Sequence, residues 1–70
     1  MIEVTVNGAV RRIAAGATGA TVAALLDQMH LTGKRIAVER NGEIVPKSLH
    51  GTTALQAGDT FEIVVAVGGG

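Results

Sequence analysis

The chain has no cysteine, no tryptophan and no tyrosine. Without thiols there can be no disulfide, no thiolate metal site and no cysteine nucleophile. Its one aromatic residue is Phe61, which excludes a platform of exposed rings for stacking bases. An excess of one charge is also missing: six Lys and Arg balance six Asp and Glu, for a formal net charge of zero. Domains that hold nucleic acid by bulk electrostatics are basic, so nucleic acid is not an expected partner. No apolar run approaches the roughly 20 residues a membrane helix needs. Met1-Ile2-Glu3-Val4 lacks the basic-then-apolar order of a secretion signal. The expectation is a cytoplasmic protein that does not engage membranes. Stability must come from packing alone.

What is present fits one small domain. The chain has 70 residues, of which 47% are hydrophobic and 17% charged, so it is not a disordered segment. A domain near this size buries only about 60% of the surface its unfolded chain exposes. Little room is left for an internal active site.

Ile2, Val4 and Val6 alternate with Glu3 and Thr5, the period of a half-buried strand. Asn7-Gly8 is a strong hairpin signal, because both residues tolerate positive φ. Ala9 to Ile13 then returns as a second strand. A loop rich in Ala, Gly and Thr leads to Thr21, a candidate N-cap. Val22, Leu25, Leu26 and Met29 follow at i, i+3, i+4 and i+7, one apolar helical stripe. Gly33 is the expected stop. Ile36 to Arg40 reads as a third strand, Asn41-Gly42 as a second tight turn, and Glu43-Ile44-Val45 as a fourth strand that Pro46 confines to an edge or an end. Lys47 to Ala57 has no clean period and reads as an irregular crossover with room for one helical turn. Gly58-Asp59 opens the last strand, in which Phe61, Ile63, Val65 and Val67 should face the core. Val64 and Ala66 fall on the opposite face.

The order strand, strand, helix, strand, strand, crossover, strand suits one helix packed on one face of one mixed sheet. The last strand, entered after a long crossover, can pair in parallel with the first. That is an α+β fold of the β-grasp (ubiquitin-like) type with about five strands. A small five-stranded barrel is the rival, and its strands leave less room for so clear a helix. Residues 1–67 form the expected domain, and 68–70 an expected flexible tail.

That tail is the informative segment. Val65-Ala66-Val67 runs straight into Gly68-Gly69-Gly70. Glycine has no side-chain bulk and wide backbone freedom, so such a tail can thread a narrow channel and nothing on Cα blocks approach to the last carbonyl. A carboxylate becomes a good electrophile once its oxygen is turned into a leaving group, as adenylation by ATP does. The competing explanation is an ordinary frayed end. Its weight falls because the glycines begin directly after a strand of the β-grasp pattern.

The sequence resembles the ThiS family, the sulfur carriers of thiamine thiazole biosynthesis. The resemblance runs over nearly the whole chain. It is carried by Val6-Asn7-Gly8, Thr21 to Leu26, Gly58-Asp59, the closing Val67-Gly68-Gly69-Gly70 and, most specifically, Glu39-Arg40-Asn41-Gly42-Glu43-Ile44-Val45-Pro46-Lys47. The loop from Gly16 to Ala20 is slightly longer than the family's usual entry to the helix, a change far from the tail. The resemblance implies a protein cosubstrate, not an enzyme, with no bound cofactor. An E1-like adenylating enzyme of the ThiF type would use ATP to convert the Gly70 carboxylate to an acyl-adenylate. Sulfur from a donor such as a cysteine desulfurase would replace AMP and leave a thiocarboxylate. The thiazole synthase ThiG would take that sulfur for the thiazole ring. Gly68 and Gly69 would thread into the partners' active sites, and the free carrier would be a monomer.

Val64 and Ala66, with Ile44 or Val45 nearby, form a candidate docking patch. The plainer reading, that scattered apolar residues are normal on a surface, carries equal weight. His30 and His50 share no motif spacing and read as a helix-end and a loop residue. No metal site is expected. Arg11, Arg12, Lys34, Arg35, Arg40 and Lys47 are interspersed with acids and read as a solvated mixed-charge surface. Other readings are the small subunit of molybdopterin synthase, which shares the fold and the Gly-Gly end, a β-grasp interaction module that carries nothing, a ubiquitin-like modifier whose acceptor is a lysine, and an enzyme in its own right, for which no catalytic set is visible by spacing.

Overall fold

A computed structural model describes residues 1–16 and 19–66. Five strands form one sheet: β1 (Ile2–Val6), β2 (Ala9–Ile13), β3 (Ile36–Arg40), β4 (Glu43–Ile44) and β5 (Thr60–Val65). Their spatial order is β2-β1-β5-β3-β4. The helix α1 (Val22–Gln28) joins the first hairpin to β3, and a single 3-10 turn (Lys47–Leu49) lies in the crossover to β5. β5 pairs in parallel with β1 and antiparallel with β3. This is the mixed sheet with one helix that the order of sequence signals implies.

The helix begins and ends by identifiable contacts. The Thr21 hydroxyl accepts a hydrogen bond from the Ala24 N–H at 3.3 Å, which caps the first turn. The other early N–H groups are satisfied by the crossover: Val22 donates to the Thr53 carbonyl and Ala23 to the His50 carbonyl. At the far end Leu31 N–H bonds to the Leu26 carbonyl and His30 N–H to the Asp27 carbonyl. That is a Schellman ending with His30 in the left-handed position, at φ 59°. The left-handed stop is therefore His30, three residues before Gly33, the stop expected from sequence. Histidine is among the non-glycine residues that enter the left-handed region, and Gly33 (φ 84°) serves the turn beyond.

Val22, Leu25 and Leu26 are the buried face of α1. They meet Val4 and Val6 of β1, Ile13 of β2, Val38 of β3, and Phe61 and Ile63 of β5 in one apolar cluster, closed by Ala20, Val45 and Leu55. Phe61 is fully buried, and a side chain of its size contributes about 2–3 kcal/mol by burial. Two expectations change. Val65 is 38% exposed and not part of the core. It pairs with Ile36 at the end of the sheet, beyond the stretch of β5 that runs beside β1. The fourth strand is also shorter than expected: Val45 lies outside it and turns inward, 8% exposed, with its N–H on the Val38 carbonyl.

One polar group is buried with the core. Asp59, at the start of β5, is 6% exposed. Its carboxylate accepts hydrogen bonds from Arg40 Nε at 2.8 Å, Asn41 Nδ2 at 3.0 Å and the Gln56 N–H at 2.9 Å. Burial alone raises the pKa of this group. The hydrogen bonds from Arg40, Asn41 and Gln56, with the guanidinium charge, outweigh burial and hold it below the ordinary carboxylate value. A lowered folded pKa means that the unfolded chain binds the proton more readily. The stabilisation is therefore complete above the unfolded value, about 3.9, and is lost as pH falls through the folded one. Urea titrations at about pH 6 and about pH 2.5 test this: the Asp59→Asn variant should lose less stability between the two than the wild type, and equal losses would contradict the assignment.

Candidate functional site

The site is the C-terminal end of β5, at Val64, Val65 and the following Ala66. Val67, Gly68, Gly69 and Gly70 lie outside the described residues, so the geometry here is that of the approach to them. β5 is the central strand, and the two Asn-Gly turns brace it from opposite sides. Asn7 and Asn41 both have positive φ, 50° and 52°, each followed by a positive-φ glycine. This is the type I′ hairpin geometry that the dipeptides predict. Their side chains do more than the turn requires. Asn41 Oδ1 accepts from the Thr60 N–H at 2.9 Å. Asn7 Oδ1 accepts from the Ile63 N–H at 2.8 Å, and its Nδ2 donates to the Ile63 carbonyl at 3.0 Å.

The Asn7 amide thus continues the β1 ladder past the end of β1. The β1–β5 register stops at Val6 and Phe61, and the carboxamide supplies the donor and acceptor that a further strand residue would have offered. The β3 side continues longer. Val64 pairs with Ala37, Val65 with Ile36, and the Ala66 N–H bonds to the Arg35 carbonyl at 2.9 Å. At its last residues β5 is held by β3 on one side. No strand pairs with it on the other side beyond Phe61 among the described residues.

The sheet face away from α1 carries the candidate docking residues. Val64 is 65% and Ile44 64% exposed, and Ala66 is exposed. Val64 lies opposite Ala37, Glu62 opposite Glu39, and Glu39 opposite Ile44. The alternation of a strand therefore puts Val64, Ile44, Glu39 and Glu62 on one face. Val45 is not among them. The directly opposed Glu39 and Glu62 carry like charges side by side, an arrangement that does not favour folding.

Two further polar contacts are structural. The ring of His50, next to the 3-10 turn, lies 3.0 Å from the Val45 carbonyl through Nε2. Glu3 and Arg12 form an exposed pair at 3.3 Å, of a kind that contributes little. No group of three or more metal-ligating side chains occurs among the described residues, and no helix there is long and apolar enough to cross a membrane. The sequence reading missed the second role of Asn7 and Asn41. The signal for it is present only in the pairing register, which brings residues 56 and 19 positions away onto those amides.

Comparison with known proteins agrees with this architecture. The family model of the ThiS family matches residues 4–70. The crystal structure of the thiamine biosynthesis protein ThiS from Geobacter metallireducens superposes with a TM-score of 0.76 at 30% identity, covering 99% of this chain and 100% of that one. A solution structure of a thiamine biosynthesis protein from the same organism gives 0.75 at 30% identity, covering 99% and 88%. A thiazole synthase from Paramagnetospirillum magneticum is 42% identical over 69 residues. That match takes in 99% of this chain and 20% of the longer protein, so the chain spans about a fifth of that relative. The fold is a β-grasp of the carrier class. The chain belongs to the ThiS family, the sulfur carriers of thiamine biosynthesis.

The latch is testable apart from the turn. Asn7→Gly keeps a residue at ease with positive φ and removes only the side-chain bonds. We expect a loss of about 1–2 kcal/mol in urea unfolding and faster amide exchange at Ile63. Unchanged exchange at Ile63 would show that the carboxamide does not hold β5.

Proposed function

We propose that this protein carries sulfur on the carboxylate of Gly70 and delivers it for construction of the thiazole ring of thiamine. The observation that carries the reading is the family match, which runs through Gly68-Gly69-Gly70. The held end of β5 supports it. A tail that starts from a strand fixed by Asn7 and Arg35 presents its glycines from a defined point.

The chemistry needs no catalytic group from the carrier. A ThiF-type enzyme attacks the α-phosphate of ATP with the Gly70 carboxylate, releasing pyrophosphate and leaving an acyl-adenylate. A persulfide sulfur, supplied ultimately by a donor such as a cysteine desulfurase, then attacks the carbonyl and displaces AMP to give an acyl disulfide. A thiol that attacks the donor-side sulfur releases the thiocarboxylate and leaves a disulfide. Thiazole synthase, the activity named for the relative of which this chain matches a fifth, is the acceptor. The carrier is a cosubstrate in this scheme and returns as a carboxylate. ATP belongs to the activating partner. Gly68 and Gly69 pass through the partners' channels, where side chains would obstruct. The open sheet face at Val64, Ala66 and Ile44 is the docking patch, and its Glu39–Glu62 pair suits a partner surface that sets a basic group among apolar ones.

Intact mass tests the central claim. Incubation with ATP, the adenylating enzyme and a sulfur donor should add the difference between sulfur and oxygen, mapped to Gly70 and absent from a chain lacking that residue. No gain with demonstrably active partners would remove the carrier reading. Val64→Asp, checked for folding by circular dichroism, should lower kcat/KM for activation about tenfold or more, as loss of an interface anchor does. An unchanged value would take the patch out of the interface.

A further inference from the structure

A cleft of about 360 Å³ opens beside the tail exit, on the helix side of the sheet. Its apolar wall is formed by Leu26 of α1, Leu31 just beyond it and Ile36 of β3. Lys34 and Arg35, from the loop before β3, line it together with Lys47 of the 3-10 turn. Three of the chain's six Lys and Arg residues therefore line one cleft, and no Asp or Glu does. None of the three takes part in an ion pair among the described residues. In a chain of zero net charge, this is a local excess of positive charge over an apolar wall. The cleft also borders the working end: Arg35 holds the Ala66 N–H through its carbonyl, and Ile36 pairs with Val65.

We propose that this cleft is a second docking site, which receives an acidic segment bearing one apolar side chain from a protein partner that handles the tail. The assignment rests on the carrier reading above. Two features select a protein segment. The basic residues come from two separate stretches, around Lys34 and at Lys47, so they suit carboxylates spaced along a chain. The cleft also shares Arg35 and Ile36 with the contacts that hold Ala66 and Val65, the last described residues before the tail. The apolar anchor would enter against Leu31 and Ile36, and its flanking carboxylates would meet Lys34 and Lys47. With the open sheet face on the other side of β5, the strand would be gripped from both faces.

The test is a double charge reversal, Lys34→Glu with Lys47→Glu, in the full chain. Arg35 is left alone so that the segment whose backbone holds Ala66 keeps its sequence. Lys34→Gln with Lys47→Gln is the milder second variant, and both are checked by circular dichroism and thermal midpoint. Affinities for the adenylating enzyme and for thiazole synthase are measured at low and high salt. The expected result is about tenfold weaker binding of at least one partner by the charge-reversal variant, with a flatter salt dependence and a smaller effect for the glutamine pair. Wild-type affinity and salt dependence for both partners would overturn the cleft proposal. If the wild-type chain still gains its sulfur in that case, the carrier reading stands without the cleft. Failure of the wild-type chain to bind or be modified by active partners would remove both. Saturable amide shifts at Leu31 and Ile36 with inorganic pyrophosphate below about 1 mM, with partner affinity unchanged in the variants, would replace the proposal with a small-anion site.

Discussion

As the central strand of the sheet, β5 needs hydrogen-bond partners along both edges, because a buried backbone polar group left unpaired is costly. Neither neighbour alone supplies them. β1 runs out at Val6, and β3 gives way to its turn at Asn41. The two turn asparagines fill the gaps, Asn41 at Thr60 and Asn7 at Ile63. Asp59 then fixes where the strand begins, through Arg40, Asn41 and Gln56. The rest of the fold follows from a strand pinned at these points. Phe61 and Ile63 are turned toward α1, Val64 is turned away, and the Ala66 N–H is held on the Arg35 carbonyl.

Much of this was legible in the sequence because it is local. Alternation gave β1 and β5, the 3.6-residue stripe gave α1, and Asn-Gly gave both hairpins, since each depends on neighbours within a few residues. The errors have a common physical origin. Gly33 was the natural reading of a helix stop, but the end is set by hydrogen bonds from His30 and Leu31 to carbonyls one turn back, and histidine there accepts positive φ. Val65 obeys the alternation yet escapes the core, because burial depends on what covers the sheet at that point. Asn7 and Asn41 were visible as turn formers. Their bonds to β5 follow from tertiary register, which no local pattern encodes. Of the site itself, the exposure of Val64 and Ala66 is as the alternation implies, whereas the choice between Ile44 and Val45 is settled only by the fold, which exposes Ile44 and buries Val45. The glycines lie outside the described residues.

Charge shows the same limit more sharply. Along the chain, Lys34, Arg35 and Lys47 alternate with Glu39 and Glu43 and look like an ordinary solvated surface. Folding separates them. Strand pairing carries Glu39 to the open face, opposite Glu62, while the loop before β3 and the 3-10 turn bring the basic residues to one cleft. Zero net charge therefore conceals an opposed acidic pair on the open face and three basic residues around one cleft. Such an arrangement is uninformative for long-range attraction but well suited to orienting a partner, because complementary charge fixes register more than it adds affinity.

In the proposed carrier role, the small size of the domain accounts for chemistry that is performed on a partner enzyme. Its packed interior is committed to holding α1 against five strands, and a chain of this length has little apolar surface to spare for an enclosed, desolvated active site. A reaction that needs ATP activation and exclusion of water is better served if the domain supplies only a reactive end on a rigid stem. The hydrogen bonds at the C-terminal part of β5 then matter for geometry as well as stability. A stem loosened at Ile63 would enlarge the volume over which the tail is distributed, and that would lower the fraction of encounters in which it meets a channel correctly aligned. The Asn7 carboxamide, which the turn by itself does not require, is where the stability of this fold and, in the proposed carrier role, the delivery of its tail would become the same interaction.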